Sequence, residues 1–66
     1  ADSRININKA SAAELDTLPG IGAVLSQRIV DYRTKNGPFR SLDDLRKVQG
    51  LSASEIEKIK DLIVFN

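Results

Sequence analysis

The sequence predicts an all-α fold of four main helices, preceded by a short extended segment. Three observations support this: apolar residues at helical spacing, serines at helix starts, and a set of features that recurs after 30 residues. The repeat implies two units, each a helix, a tight turn and a second helix. One such unit buries too little apolar surface to be stable alone, so we expect both to share one core.

The first element is the extended segment at residues 5–8, where Ile and Asn alternate as in a strand. No partner strand is recognisable, so we expect its isoleucines to pack on the helices. The first helix follows at about Ala12 to Leu18. Ser11 precedes it and lies three residues before Glu14, the spacing at which each side chain bonds the other residue's backbone N–H.

The second helix is predicted from about Ala23 to Lys35, and Asn36-Gly37 provides a left-handed stop. Its apolar face is formed by residues at i, i+4 and i+7, namely Leu25, Ile29 and Tyr32. Because the chain has few aromatic residues, we expect Tyr32 and Phe39 to be used in the core.

The third and fourth helices begin at serines. Ser41 is followed by two aspartates, which suit the positive end of a helix dipole. Ser52 again lies three residues before a glutamate, Glu55. The apolar face of the fourth helix is predicted to consist of Ile56, Ile59 and Ile63.

Composition excludes several classes of function. The chain has 66 residues, no His and no Cys, so zinc fingers, disulfide frameworks and His- or Cys-based catalysis are excluded. A chain this short has little room for a deep catalytic cleft besides a core. No apolar run is long enough to span a membrane and no leader pattern is present. We therefore expect no enzymatic activity and no cofactor, and expect any targeting segment to lie outside this chain.

The repeat defines the predicted domain organisation. An offset of 30 residues aligns a cap, two apolar anchors, a glycine and the start of a helix. The matched pairs include Ser11 with Ser41, Leu15 with Leu45, Leu18 with Val48, Gly20 with Gly50, Ile21 with Leu51 and Ala23 with Ala53. The prediction is a single domain over residues 1–66, with one hairpin unit at about 11–35 and another at about 41–64.

The turn between the first two helices reads Leu18-Pro19-Gly20-Ile21-Gly22. Proline ends the first helix, and the glycines permit positive φ and close approach of another molecule. Helix two then starts with unpaired amides at the positive end of its dipole, which is a ready site for an anion such as phosphate. A compact connection between helices explains a lone turn of this kind, but the recurrence of the whole pattern favours binding.

These residues resemble the double helix-hairpin-helix domain of ComEA-like competence proteins, a bundle of the SAM-like type. The resemblance covers nearly the whole chain and is carried by residues 5–11, 18–22, 29–33, 36–39 and 45–51. It implies sequence-independent binding of double-stranded DNA through hairpin amides, those of Gly20, Gly22 and Ala23, with a weaker contact at Gly50, Ser52 and Ala53. The DNA-binding residues it implies also include Pro19, Ile21 and Leu51. It also implies an extracytoplasmic role with the DNA-uptake machinery. Some such domains hold a monovalent cation on hairpin carbonyls, here those of Leu18 and Ile21.

The chain departs from the family pattern in two places. The second turn carries Ser52 where a second glycine is usual, and no Lys or Arg directly follows the first turn. Residues 1–40 hold six cations against four acids, a charge of +2, whereas residues 41–66 hold four against five, −1. We therefore expect the first hairpin to be the better phosphate site, assisted by Lys9 and Arg28, and the isolated domain to be a weak, monomeric binder.

Two other functions remain open. The scaffold is compatible with a structural or protein-interaction domain that has lost DNA binding, which the near-neutral charge and Ser52 favour. It is also compatible with an accessory DNA-gripping domain of a repair or replication enzyme whose chemistry lies in another segment.

Overall fold

The computed structural model describes residues 3–66, so Ala1 and Asp2 of the predicted domain lie outside it. Within residues 3–66 four α-helices confirm the all-α class. They are α1 (Ala12–Leu15), α2 (Ala23–Asn36), α3 (Leu42–Leu45) and α4 (Ala53–Ile59), and α4 continues into a 3₁₀ turn at Lys60–Leu62. Two short strands, β1 (Ile5–Asn6) and β2 (Ile63–Val64), flank them.

The turns of the two units have the same backbone hydrogen bonds. Leu18 N–H donates to the Leu15 carbonyl and Val48 N–H to the Leu45 carbonyl, both at 3.1 Å. Gly20 and Gly50, at equivalent positions, both have positive φ, +78° and +89°. Both units are therefore built as the same helix, turn and helix.

Helix α1 is shorter than predicted, because it ends at Leu15 instead of Leu18. After Leu15 the chain tightens into bonds between residues three apart, from Thr17 N–H to the Glu14 carbonyl and from Leu18 N–H to the Leu15 carbonyl. The Thr17 hydroxyl also donates to the Glu14 carbonyl at 2.6 Å. That carbonyl is therefore used within the turn and cannot continue the α-helical ladder.

The expectation that the extended segment has no partner strand is wrong. β1 pairs in parallel with β2, with Ile5 opposite Ile63 and Asn6 opposite Val64. The partner was hidden because Ile63 fits the helical spacing of the fourth helix. In the structure α4 ends at Ile59, and Ile63 is buried from a strand instead of a helix.

One core joins the two units. Its buried apolar residues come from both units and the extended segment; they are Ile7, Ala10, Leu15, Leu18, Ile21, Ile29, Phe39, Leu45, Val48, Leu51, Ile56, Ile59 and Ile63. Phe39 is buried as expected, whereas Tyr32 is only half-buried and stacks on it with ring centroids 5.1 Å apart. Among the described residues no helix has the length and apolar character needed to cross a membrane.

A single asparagine ties together the ends of the fold. The Asn8 amide nitrogen donates to the Phe39 carbonyl at 2.9 Å and the Phe65 carbonyl at 3.3 Å. Its side-chain oxygen accepts the Phe39 N–H at 2.7 Å. Asn8 therefore links the extended segment, the connection between the two units, and the C-terminal end of the chain.

Replacing this asparagine, Asn8→Ala, is expected to lower the free energy of unfolding by about 2–3 kcal/mol. It removes three hydrogen bonds and leaves a partly buried N–H without an acceptor. Urea denaturation measures the change. The matched control is Asn36→Ala, which removes one exposed bond to the Tyr32 carbonyl and is expected to cost under about 0.5 kcal/mol. Equal losses in both variants would contradict the role given to Asn8.

Candidate functional site

The first hairpin, defined as residues 18–22, presents an open glycine turn. Pro19, Gly20 and Gly22 are exposed, whereas Ile21 is buried in the core and fixes the turn from below. A Cβ added at Gly22 would meet nothing within 4 Å. Another molecule can therefore approach the backbone here.

Helix α2 begins at this turn without a cap. Gly22 is its N-cap residue, with extended backbone and no side-chain hydrogen bond. The first helical bond is donated by Ser26 N–H to the Gly22 carbonyl at 2.9 Å, so the amides of Ala23, Val24 and Leu25 have no acceptor within the helix. No acidic residue lies in this first turn. The positive end of the α2 dipole is therefore both unpaired and accessible.

The second hairpin, residues 48–52, differs at its helix start. The Ser52 hydroxyl accepts the Glu55 N–H at 3.3 Å, as predicted for this cap. The first turn of α4 also contains the acidic side chain of Glu55. The second hairpin thus offers one fewer free amide, and its residues Gly50, Ser52 and Ala53 are exposed around a buried Leu51.

Each unit places a side chain on the glycine turn of the other. The Glu55 carboxyl group, from α4, lies directly against Gly20 of the first hairpin. Its Oε2 is buried and has no hydrogen-bond partner, while Oε1 lies 3.5 Å from Lys58 Nζ. An acid therefore adjoins the hairpin that has the open amides.

Arg28 does not lie at the first hairpin as expected. Its guanidinium donates to the Gln49 carbonyl at 3.0 Å, in the second hairpin. A Cβ on Gly50 would lie 2.8 Å from Arg28 Nη1 and 3.1 Å from Leu25 Cδ2. Leu25 and Glu55 occupy equivalent positions in the two units, so the crossing is reciprocal. The side chain of α2 reaches the other unit because the two units face each other.

Three other basic residues from the first part of the chain differ in their contacts. Lys9 is exposed before α1, and its side chain makes no hydrogen bond or ion pair with any residue in 3–66. Arg33 donates to the Ile7 carbonyl at 3.0 Å and so holds the extended segment. The backbone N–H of Arg40 donates to Asp44 and, with Lys47 nearby, holds the pKa of Asp44 below its usual value.

The turn carbonyls implied for a monovalent cation are oxygen donors of suitable type. The Leu18 carbonyl already accepts the Ile21 N–H at 3.1 Å, which leaves one lone pair for a cation. A cation at Leu18 and Ile21 stays a prediction.

The helix-hairpin-helix motif model matches residues 1–64. This chain belongs to the helix-hairpin-helix family. In the structure the motif corresponds to the two glycine turns, each of which is followed by the start of a helix.

Similar proteins include both bacterial and vertebrate chains. Endonuclease/exonuclease/phosphatase family domain-containing protein 1 of Xenopus laevis is 42% identical over 91% of this chain and 11% of its own length. An uncharacterised protein of Haemophilus influenzae is 43% identical over 94% of this chain and 56% of its own length. ComE operon protein 1 of Bacillus subtilis is 39% identical over 89% of this chain and 29% of its own length. This helix-hairpin-helix chain thus corresponds to only part of each relative.

Sequence reasoning missed the two crossed contacts. It assigned Arg28 to the nearer turn along the chain and gave Glu55 only a role in helix capping. The 30-residue repeat could have revealed both, because two facing copies put the helix of each against the turn of the other.

Substitutions at the two glycines of the first turn test its geometry. Gly20→Ala is expected to cost about 1–2 kcal/mol of stability, because φ is +78°, where an L residue is strained, and because the added Cβ displaces the Glu55 carboxyl group. The control Gly22→Ala, where the added Cβ meets open space, is expected to change stability by less than about 0.5 kcal/mol. Thermal or urea unfolding measures both, and a Gly20→Ala protein as stable as the control would contradict this geometry.

Proposed function

We propose that this chain, acting as a single domain over residues 1–66, binds double-stranded DNA without sequence preference. In this proposal the first hairpin contacts a phosphate from Pro19 through Ala23, with the backbone N–H groups of Gly20, Gly22 and Ala23 as donors. The second hairpin, from Gly50 through Ala53, makes a weaker contact. No reaction is assigned to the domain.

The uncapped start of α2 carries the proposal. Three consecutive amides there lack a helical acceptor, and no side chain caps them. Since helix α2 has 14 residues, its dipole adds positive potential at the same point. An anion with several acceptor oxygens satisfies these donors, and a backbone phosphate is such an anion.

Sequence independence follows from the type of contact. Backbone phosphates are the same at every base pair, so amides that bind them carry no base information. Few phosphates are neutralised by a chain of net charge +1, so we expect micromolar affinity that depends on salt. Further segments of a longer protein would raise that affinity through avidity.

The biological role we propose is DNA uptake in natural competence, outside the cytoplasmic membrane and together with the uptake machinery. The similarity to ComE operon protein 1 supports this role. The uptake role and the location are inferences from that relative's name and from the motifs shared with its family.

A second candidate is a protein-interaction domain with little DNA binding. The observation that favours it is the Glu55 carboxyl group against Gly20, because an acid beside the first hairpin opposes a phosphate. A third role, as the accessory DNA-binding part of a larger enzyme, fits the small share of the vertebrate relatives that this chain spans.

A capping substitution tests the proposal without disturbing the fold. Gly22→Asp places a carboxylate at the N-cap, where the backbone conformation is one that any residue can adopt. There the carboxylate accepts hydrogen bonds from the free amides and repels phosphate. We expect at least a roughly tenfold loss of duplex affinity with equal or higher thermal stability. Fluorescence anisotropy with two duplexes of unrelated sequence measures the binding.

The matched control is Gly22→Asn, which caps the amides without adding charge and is expected to lose less affinity than Gly22→Asp. For the unmodified chain we expect equal affinity for both duplexes and a slope of log affinity against log salt of about −3 to −5. Undiminished binding by Gly22→Asp would refute the hairpin contact, and no binding by the unmodified chain at low salt would favour the protein-interaction role.

A further inference from the structure

The two units form two grooves that share four equivalent positions and differ in charge. One, called here the basic groove, lies between α2 and the second hairpin and is lined by Arg28, Asp31, Tyr32, Lys35, Lys47 and Gln49. The other, the counterpart groove, lies between the 3₁₀ turn after α4 and the first hairpin and has Asp61, Leu62, Thr17 and Pro19 at the positions of Asp31, Tyr32, Lys47 and Gln49. The extended segment also lines the counterpart groove, with Arg4 as its one cation, against three cations in the basic groove.

Lys47 of the basic groove is not required to form its hairpin. The backbone hydrogen bonds of the two hairpins match, yet Thr17 and Pro19 take the places that Lys47 and Gln49 have in the basic groove. Because the two hairpins have the same backbone hydrogen bonds with different side chains, Lys47 is free to serve a ligand.

The side-chain N–H groups of Lys35 and Lys47 are mostly free to bind a ligand. Lys35 is exposed and makes no ion pair with any residue in the described part of the chain. Lys47 Nζ lies 3.6 Å from Asp44, and its side chain is 64% exposed. Exposed pairs of this kind contribute little and exchange readily.

Arg28 is anchored at the groove's end. It uses one N–H on the Gln49 carbonyl, at 3.0 Å, and a guanidinium has five. The acid that lines the groove, Asp31, accepts from Gln27 at 3.0 Å. The groove thus combines three cations with one carboxylate, in a chain whose total charge is +1.

We propose that the basic groove binds a second phosphate group of the DNA backbone, through Lys35, Lys47 and the free donors of Arg28. The inference rests on the proposed function, because the phosphate belongs to the duplex held at the first hairpin. The chain's longest dimension is 30 Å, less than one turn of B-DNA at about 34 Å. One short duplex is therefore long enough to reach both contacts.

The test is the double variant Lys35→Gln/Lys47→Gln, measured by anisotropy with a short duplex over a range of salt. Arg28 is left intact because it holds the second hairpin. We expect affinity to fall about fivefold or more, and the salt slope to become shallower by about 1, since one lost phosphate contact reduces it by about 1.

The matched control is Arg40→Gln/Lys60→Gln, which removes the same charge outside both grooves and hairpins, and for which we expect a smaller loss and an unchanged slope. Equal effects in the two double variants, or no effect in either, would overturn the proposal that the basic groove binds phosphate. Gly22→Asp separates the two proposals, because it reports on the hairpin contact alone. If the unmodified chain binds no duplex, both proposals fail.

A final arm distinguishes the source of the phosphate. Inorganic phosphate is titrated against the isotopically labelled chain while the NMR signals of Arg28, Lys35 and Lys47 are followed. At equal concentrations of phosphate groups, we expect the duplex to shift these signals and inorganic phosphate to leave them unchanged. Equal shifts would make the groove a site for free phosphate and overturn the assignment to DNA.

Discussion

The reciprocal contact between each glycine turn and the helix of the other unit is the interaction on which the rest of the structure depends. Glu55 from α4 lies on Gly20, and Leu25 with Arg28 from α2 lies on Gly50. Neither four-residue helix, α1 or α3, is long enough to be stable alone. Each of these helices is stabilised because side chains of the other unit pack on the turn that follows it and because its leucine, Leu15 or Leu45, lies in the shared core.

This crossing also determines the charge around each candidate phosphate site. By sequence, the first half is basic and the second acidic, yet the structure puts an acid from the second half on the first turn and a cation from the first half on the second turn. The first hairpin therefore offers free amides beside an acid, and the second offers a capped helix start beside a basic groove. DNA binding by this chain, as proposed here, divides between amides at one hairpin and side-chain cations at the other.

Much of the fold was predictable because local rules govern it. The bounds of α2, the Ser11 and Ser52 caps and the two glycine turns follow from capping and from helical spacing, which are properties of neighbouring residues. The failures involve distant residues. The β1–β2 pairing joins residues near the two ends of the chain, Asn8 contacts Phe39 and Phe65, and Arg28 crosses to Gln49. Neither helical nor strand spacing indicates these contacts, and only the crossing of Arg28 could have been inferred, from the 30-residue repeat. For the site, the sequence indicated which backbone groups are open but not which side chains surround them.

The central claim is that a DNA phosphate binds the uncapped amides at the start of α2. Its most direct test is an NMR titration of the isotopically labelled chain at low salt with two duplexes of unrelated sequence. The account predicts that the backbone amide signals of Ala23, Val24 and Leu25 shift most among the amides of the two hairpins and the helix starts, and in the same direction with both duplexes. Signals at these three residues that stay unmoved while others shift, or shifts that depend on the duplex sequence, would contradict it.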